Sequence, residues 1–196
     1  MNVKRNGGPI GPPFFLGRGQ VLMSNTAPTI EELTMLDSHD WFFPVPIAYG
    51  PGRIAEIGRR CVELGIKKPF IVTDRGSRDL PFIERLQDLL AEAGLDFGVF
   101  ADISSNPIDA EIAIGRDAFR EGRFDSIIAI GGGSAMDGAK AICLTANNLF
   151  DLWDFDFERT PPVIDSSSPF PLLVTIPTTS GTGAETESTG MVTHTE

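Results

Sequence analysis

Apolar residues along this chain fall into two alternating rhythms. Phe70-Ile-Val-Thr73, Ser126-Ile-Ile-Ala-Ile130 and Leu172-Leu-Val-Thr-Ile176 are short runs rich in β-branched residues, the signature of strands buried on both faces. Phe42 to Ile47, ended by Gly50-Pro51-Gly52, reads as an edge strand; Asp96 to Ala101 reads as a further strand, and Met191-Val-Thr193 as the start of one more. Between these runs the spacing changes to that of helices. Arg53 to Leu64, the series Phe82, Leu86, Leu89 and Leu90 stopped by Gly94, Ile108 to Gly122, and a segment opening at Ser134 and passing Ala141, Ile142 and Leu144 are the predicted helices. Strict β-α alternation with right-handed crossovers implies an α/β fold, a doubly wound and mostly parallel sheet with helices on both faces.

Residues 1–42 stand outside this pattern as an amino-terminal extension, Gly- and Pro-rich at first and with a short helix expected at Thr29–Leu36; residues 43–196 form the predicted domain.

The stretch Asp125 to Lys140 carries the first candidate chemistry. A buried strand runs into Gly131-Gly132-Gly133, and Ser134 with Asp137 makes an S-x-x-D capping pattern at the start of a helix. Glycines allow a close backbone approach, and helix-start N–H groups suit a phosphate. A plain tight connection is the other reading of three glycines. The pattern is not G-x-G-x-x-G, because Met136 stands where the third glycine belongs, and no G-K-[ST] follows. After the Leu172 strand, Thr178-Thr-Ser-Gly-Thr-Gly-Ala184 forms a second turn, with Thr178, Thr179 and Thr182 as candidate hydroxyl ligands; an ST-turn with a cap from Thr182 to Glu185 is its structural alternative. Asp74 ends the Phe70 strand, where an acid either accepts from a ribose hydroxyl or shapes a turn.

Charge narrows the partners. Sixteen basic against 27 acidic side chains give a net charge of -11, which argues against nucleic acid and against anionic membrane. An anionic cofactor must therefore bind through local backbone amides and helix ends. The apolar runs are too short for a membrane span or a signal peptide core. Cys61 and Cys143 lie in apolar helical surroundings, as buried free thiols of a reducing cytoplasm would. Asp151, Asp154, Asp156 and Asp165 fall in a loop from Leu149 to Phe170 whose spacing matches no cation motif, so a solvated loop is expected.

Taken together, Tyr49-Gly-Pro-Gly-Arg-Ile54, Thr73-Asp74, Asn106-Pro107, Ile128-Ala-Ile-Gly-Gly-Gly-Ser134 with Asp137, Ala139 and Lys140, and Ile176-Pro-Thr-Thr-Ser-Gly-Thr-Gly-Ala-Glu185 resemble the iron-containing (group III) alcohol dehydrogenases. The similarity runs from about Phe43 to the last residue; Ala135 stands where that family often has proline. The resemblance implies a Rossmann-like domain and an NAD(P)-binding role. Gly131, Gly132, Gly133 and Ser134 would hold the pyrophosphate, Asp137 would lie toward the nicotinamide, Thr178, Thr179 and Thr182 would line the cleft, and Asp74 would meet the adenosine ribose, favouring NAD over NADP.

The resemblance also implies a helical second domain that supplies one Asp and three His to Fe²⁺ or Zn²⁺. His39 and His194 are the only histidines and match none of those positions, so no metal ligand and no catalytic residue is assigned within this chain. The expected whole is an alcohol and aldehyde oxidoreductase, a homo-oligomer, of which these residues are the cofactor-binding part without activity of their own. A non-catalytic nucleotide-binding module and a glycerol dehydrogenase or dehydroquinate synthase type of enzyme are the alternatives. Pro-Thr-Thr-Ser-Gly-Thr-Gly favours the alcohol dehydrogenases proper.

Overall fold

The computed structural model describes residues 39–42 (backbone only), 45–165, 167 and 169–195; the helix expected at Thr29–Leu36 lies outside them. The elements are β1 His39–Phe42, β2 Pro46–Tyr49, a 3₁₀ turn Arg53–Glu56, α1 Ile57–Glu63, β3 Pro69–Asp74, α2 Pro81–Glu92, β4 Gly98–Ile103, α3 Asp109–Gly122, β5 Ser126–Gly131, α4 Gly133–Ala146, a second 3₁₀ turn Leu152–Phe155 and β6 Leu172–Pro177. Strands β3 to β6 form one parallel sheet in the order β4-β3-β5-β6.

That order dictates where the helices go. From β3 the chain steps one way to β4, then crosses back over β3 to reach β5 and continues to β6. Right-handed crossovers made in opposite directions leave their helices on opposite faces. Residues alternate across the pleat accordingly. Phe70, Val72, Ile127 and Ala129 face Ile112 and Phe119 of α3 and Met136, Ala139 and Ile142 of α4. Ile71, Ile128 and Ile130 face Ile57 and Cys61 of α1 and Leu86, Leu89 and Leu90 of α2. Every residue of β5 is buried, as is all of β3 but its last. Both central strands therefore read as continuous apolar runs, and each fully buried Ile or Leu contributes about 1.5–3 kcal/mol. On the first face Phe70 stacks on Phe124 at 4.6 Å and meets Phe119 edge-on at 5.9 Å.

Three expectations shift. β4 begins at Gly98, two residues late, because Leu95 N–H closes back onto Leu90 O (3.0 Å) past Gly94 in the left-handed region (φ 75°), so 95–97 complete the turn. β2 does not border the main sheet: it pairs antiparallel with β1 in a separate two-stranded sheet. Met191–Thr193 forms no strand. Thr193 makes one parallel bridge to Ile108, off the sheet, through Thr193 N–H to Pro107 O (2.7 Å) and Asp109 N–H to Thr193 O (3.2 Å). Among the described residues no helix is long and apolar enough to cross a membrane.

Arg120 of α3 closes the far end of α4. Its Nε donates to Ala146 O (2.8 Å), and its Nη2 to Thr145 O (2.8 Å) and to Asn148 O. A guanidinium there satisfies carbonyls that have no intrahelical donor and sits at the negative end of the helix dipole. Arg120→Ala is expected to lower unfolding free energy by about 1–3 kcal/mol in urea titrations, and Arg120→Lys to recover only part, since an ammonium lacks the planar fork that spans all three carbonyls.

Candidate functional site

The reversal of direction between β3 and β5 opens a crevice at their carboxyl ends, where open α/β sheets collect ligands. Asp74 and Gly131, the last residues of these strands, meet there. Gly131 has φ 142°, and a Cβ on it would stand 2.7 Å from Ala135 Cβ and 2.8 Å from Asp74 Oδ2. No other residue fits, on conformational and steric grounds alike. The hydroxyl of Thr73, fully buried and without a hydrogen-bond partner, lies 3.5 Å from that same point. A buried unpaired hydroxyl is costly unless something satisfies it.

Helix α4 starts at Gly133, with Gly132 extended as its N-cap and no side chain capping it. Ser134, expected to cap, lies inside the first turn and donates its hydroxyl to Ser105 O (2.6 Å) on the loop after β4. This correction follows from the glycines: the chain enters the helix two residues earlier than a cap at Ser134 would allow. The first-turn N–H groups therefore face the crevice unclaimed by any side-chain cap. The turn after β6 folds over them. Thr178 N–H bonds Gly131 O (2.9 Å); Thr179 Oγ1 lies 3.5 Å from the Cβ position of Gly132, and Thr182 Cγ2 3.6 Å from that of Gly133. Thr182 does not cap a helix; its Oγ1 accepts from Ala184 N–H (3.3 Å) in an ST-turn.

Two hollows result. Asp74, Ser77, Gly132, Ser134, Thr178 and Thr179 are among the residues lining a cleft of about 540 Å³. Gly133, Ser134, Asp137 and Thr193 help to line a second of about 330 Å³. Ser105 and Ser134 belong to both, so their hydrogen bond stands between them. Most of the sequence-predicted residues thus converge from three loops, with Gly131 buried behind them and Thr182 lining neither hollow. Asp74 does shape a turn: it accepts from Ser77 N–H (3.0 Å) at Oδ1 and from Ser77 Oγ (2.9 Å) at Oδ2, while still lining the larger cleft.

Sequence reasoning missed Arg75 and Glu111. Arg75 follows Asp74 into the cleft, and its Nη2 donates to Glu111 Oε1 (2.7 Å). Glu111, only 5% exposed, accepts at Oε2 from Ser104 N–H (3.1 Å), Ser104 Oγ (2.9 Å) and Ile108 N–H (3.4 Å). A glutamate at the third position of α3, reaching back to the residue before the helix, was the available signal.

No metal centre is assembled among the described residues: no three His, Cys, Asp or Glu side chains gather as ligands. The His194 ring lies 4.6 Å from that of Trp153, and the side chain of His39 is outside the described residues. Asp151, Asp156 and Asp165 each accept from a backbone N–H two residues on, as in solvated Asx turns. Among the described residues no donor set suited to iron or zinc is gathered. A phosphate-bearing ligand fits better, given the helix start uncapped by any side chain, the Cβ-free backbone of Gly132 and Gly133 at the two hollows and the unpartnered Thr73 hydroxyl.

Comparison with known proteins agrees with this architecture. Residues 44–196 match the family described as iron-containing alcohol dehydrogenase. The chain is 35% identical over 154 residues to the NAD-dependent methanol dehydrogenase of Bacillus methanolicus, covering 79% of this chain and 39% of that protein. Against the 1,3-propanediol dehydrogenase of Citrobacter freundii the figures are 33% over 159 residues, 80% and 40%. Among solved structures, a 1,3-propanediol oxidoreductase superposes with a TM-score of 0.62 at 34% identity, over 69% of this chain and 34% of that one. A sulfoacetaldehyde reductase from Bifidobacterium kashiwanohense in complex with NAD+ gives 0.61 at 29%, over 70% and 35%. The chain spans about 40% of the length of these curated relatives.

Among the described residues Asp137 is the one charged residue lining the smaller hollow, and Lys140 lies one helical turn behind it. Burial raises the Asp137 pKa above the ordinary aspartate value, opposed by the Met191 backbone N–H and by Lys140 and helped by Glu187. Burial likewise lowers Lys140, opposed by Asp137, Glu187 and Glu185. Lys140 braces that carboxylate only weakly: its Nζ stands 4.0 Å from Asp137 Oδ1 and donates to Thr189 O (2.7 Å). A carboxyl whose folded-state pKa is raised favours the fold below its unfolded value, and that contribution is lost as pH rises through the folded one. Asp137→Asn is therefore expected to gain stability relative to the native chain as pH rises from the ordinary aspartate range toward neutrality. Urea unfolding between about pH 4 and pH 7 reads this; a difference that stays flat or reverses contradicts the assignment.

Proposed function

This chain belongs to the iron-containing alcohol dehydrogenase family, and we propose that its residues are the NAD-binding part of an enzyme that oxidises an alcohol or reduces an aldehyde. The observation that carries the reading is the start of α4, uncapped by any side chain, where Gly132 and Gly133 line the two hollows without a Cβ and the Thr73 hydroxyl nearby has no partner. Gly131, Gly132 and Gly133 let the pyrophosphate approach, and the first-turn N–H groups with Ser134 hold it. Thr178, Thr179 and Thr182 close over it with hydroxyl donors. Asp74 has lone pairs left beyond its two bonds to Ser77, and it accepts from the adenosine 2′-hydroxyl. A 2′-phosphate would meet a carboxylate there, so NAD is preferred over NADP. Asp137, in the neighbouring hollow, faces the nicotinamide side. When bound, the dinucleotide supplies the acceptor for the hydride leaving the alcohol carbon.

No metal-dependent step can be written on the residues described here. Iron or zinc belongs, on this reading, to the family's helical domain, and the chain alone binds cofactor without turnover. The reading also includes homo-oligomers and a cytoplasmic setting. Among the described residues β6 is an edge strand of the main sheet, and its half-exposed Leu172 supports association there.

Calorimetric titration of the purified chain is expected to show NAD+ binding more tightly than NADP+. Gly131→Ala should abolish binding by placing a methyl against Asp74. Asp74→Gly should shift preference toward NADP+ by about tenfold; unchanged selectivity removes Asp74 from the reading. Steady alcohol oxidation by the chain after reconstitution with Fe²⁺ or Zn²⁺ would overturn its inactivity.

A further inference from the structure

Asp74 is not the whole of the charge in the larger cleft. Among the described residues lining it, Arg75 is the one cation, and it comes from the strand end expected to meet the adenosine ribose. In dinucleotide folds an arginine at that place accommodates a 2′-phosphate. Here its Nη2 is held at 2.7 Å by Glu111, whose side chain is 7% exposed against 56% for that of Arg75. Arg78, nearby in sequence, does not line the cleft and is bound to Asp102 and to Ala101 O.

Resting on the dinucleotide reading, we propose that Glu111 is a positioning residue for cofactor choice: by holding the Arg75 guanidinium it withholds from a 2′-phosphate the one cation that could receive it. The asymmetry of burial is what makes the hold effective. Oε2 of Glu111 has only neutral donors, Ser104 N–H, Ser104 Oγ and Ile108 N–H, and Arg75 at Oε1 is the one cation given to the carboxylate. If Arg75 turned toward a ligand, a buried carboxylate would be left without its counter-charge, which costs more than an exposed ion pair to a phosphate returns. The Arg75 backbone is tied as well, its N–H donating to Ile103 O (2.8 Å), so the side chain alone could move. NAD preference then has two sources, repulsion by Asp74 and sequestration of Arg75, and Glu111 acts without touching the cofactor.

The test uses NAD+ and NADP+ titrated calorimetrically into the full chain. Glu111→Gln keeps the shape and can still accept from Ser104 and Ile108, while losing the charge that holds Arg75. It is expected to improve NADP+ affinity relative to NAD+ by about tenfold. The gain should disappear in the double variant Glu111→Gln/Arg75→Ala. An unmoved ratio, an equal loss for both cofactors, or a gain that survives without Arg75 overturns the proposal. The wild-type chain gives an arm that needs no variant to fold: with no cation on the 2′-phosphate, NADP+ affinity should fall with salt no more steeply than that of NAD+, and a steeper slope overturns the proposal as well. A wild-type chain that binds neither dinucleotide sinks the underlying reading and this one together, whereas one that prefers NAD+ with an unmoved Glu111→Gln ratio sinks only the role of Glu111.

Discussion

Everything at the candidate site depends on two buried strands lying side by side and ending together. β3 and β5 are covered on both faces by apolar residues, so neither can slide by one position without turning its core side chains to the wrong face. Their ends are thereby held in register, and Asp74 is brought within reach of Gly131. Glycine there is a consequence of that approach: the space a methyl would occupy already belongs to the Asp74 carboxylate and Ala135.

Around that fixed point three loops are tied together by polar groups rather than by apolar packing. Glu111 joins the loop after β3, through Arg75, to the loop after β4, through Ser104. Ser105 then joins it to α4 through the Ser134 hydroxyl, and Thr178 returns to Gly131 O. Each bond is local, yet together they hold the glycine turn, the Asp74 turn and the threonine turn as one surface. The cofactor reading rests on this closure. So does the two-source account of NAD preference, in which one carboxylate faces the ligand and a second, buried, one restrains the nearby cation.

Much of this was legible in the amino-acid order. The β-branched runs at Phe70, Ser126 and Leu172 became β3, β5 and β6 within a residue or two, because a fully buried strand writes its environment directly into its composition. The glycine and threonine turns were found by residue type, since few residues can serve there. Ser134 was misplaced for the opposite reason. A capping pattern states what a helix start can use, while here the glycines admitted an earlier start and Ser105 O, 29 residues away in sequence, took the hydroxyl. Met191–Thr193 misled in the same manner, having strand composition but a partner in a loop.

The sequence by itself determined the alternation of strands and helices, the two small-residue turns, the acid that follows β3 and the family pattern they compose. All of these follow from short-range periodicity and steric permission. Only the tertiary structure decided that β5 lies beside β3 instead of β4, that Asp74 therefore meets Gly131, and that Arg75 is claimed by Glu111, 36 positions away. The reason is physical: the periodicity of a strand names the faces it buries and not the neighbour it pairs with. A polar side chain in a loop takes whichever partner the assembled fold brings within about 3 Å.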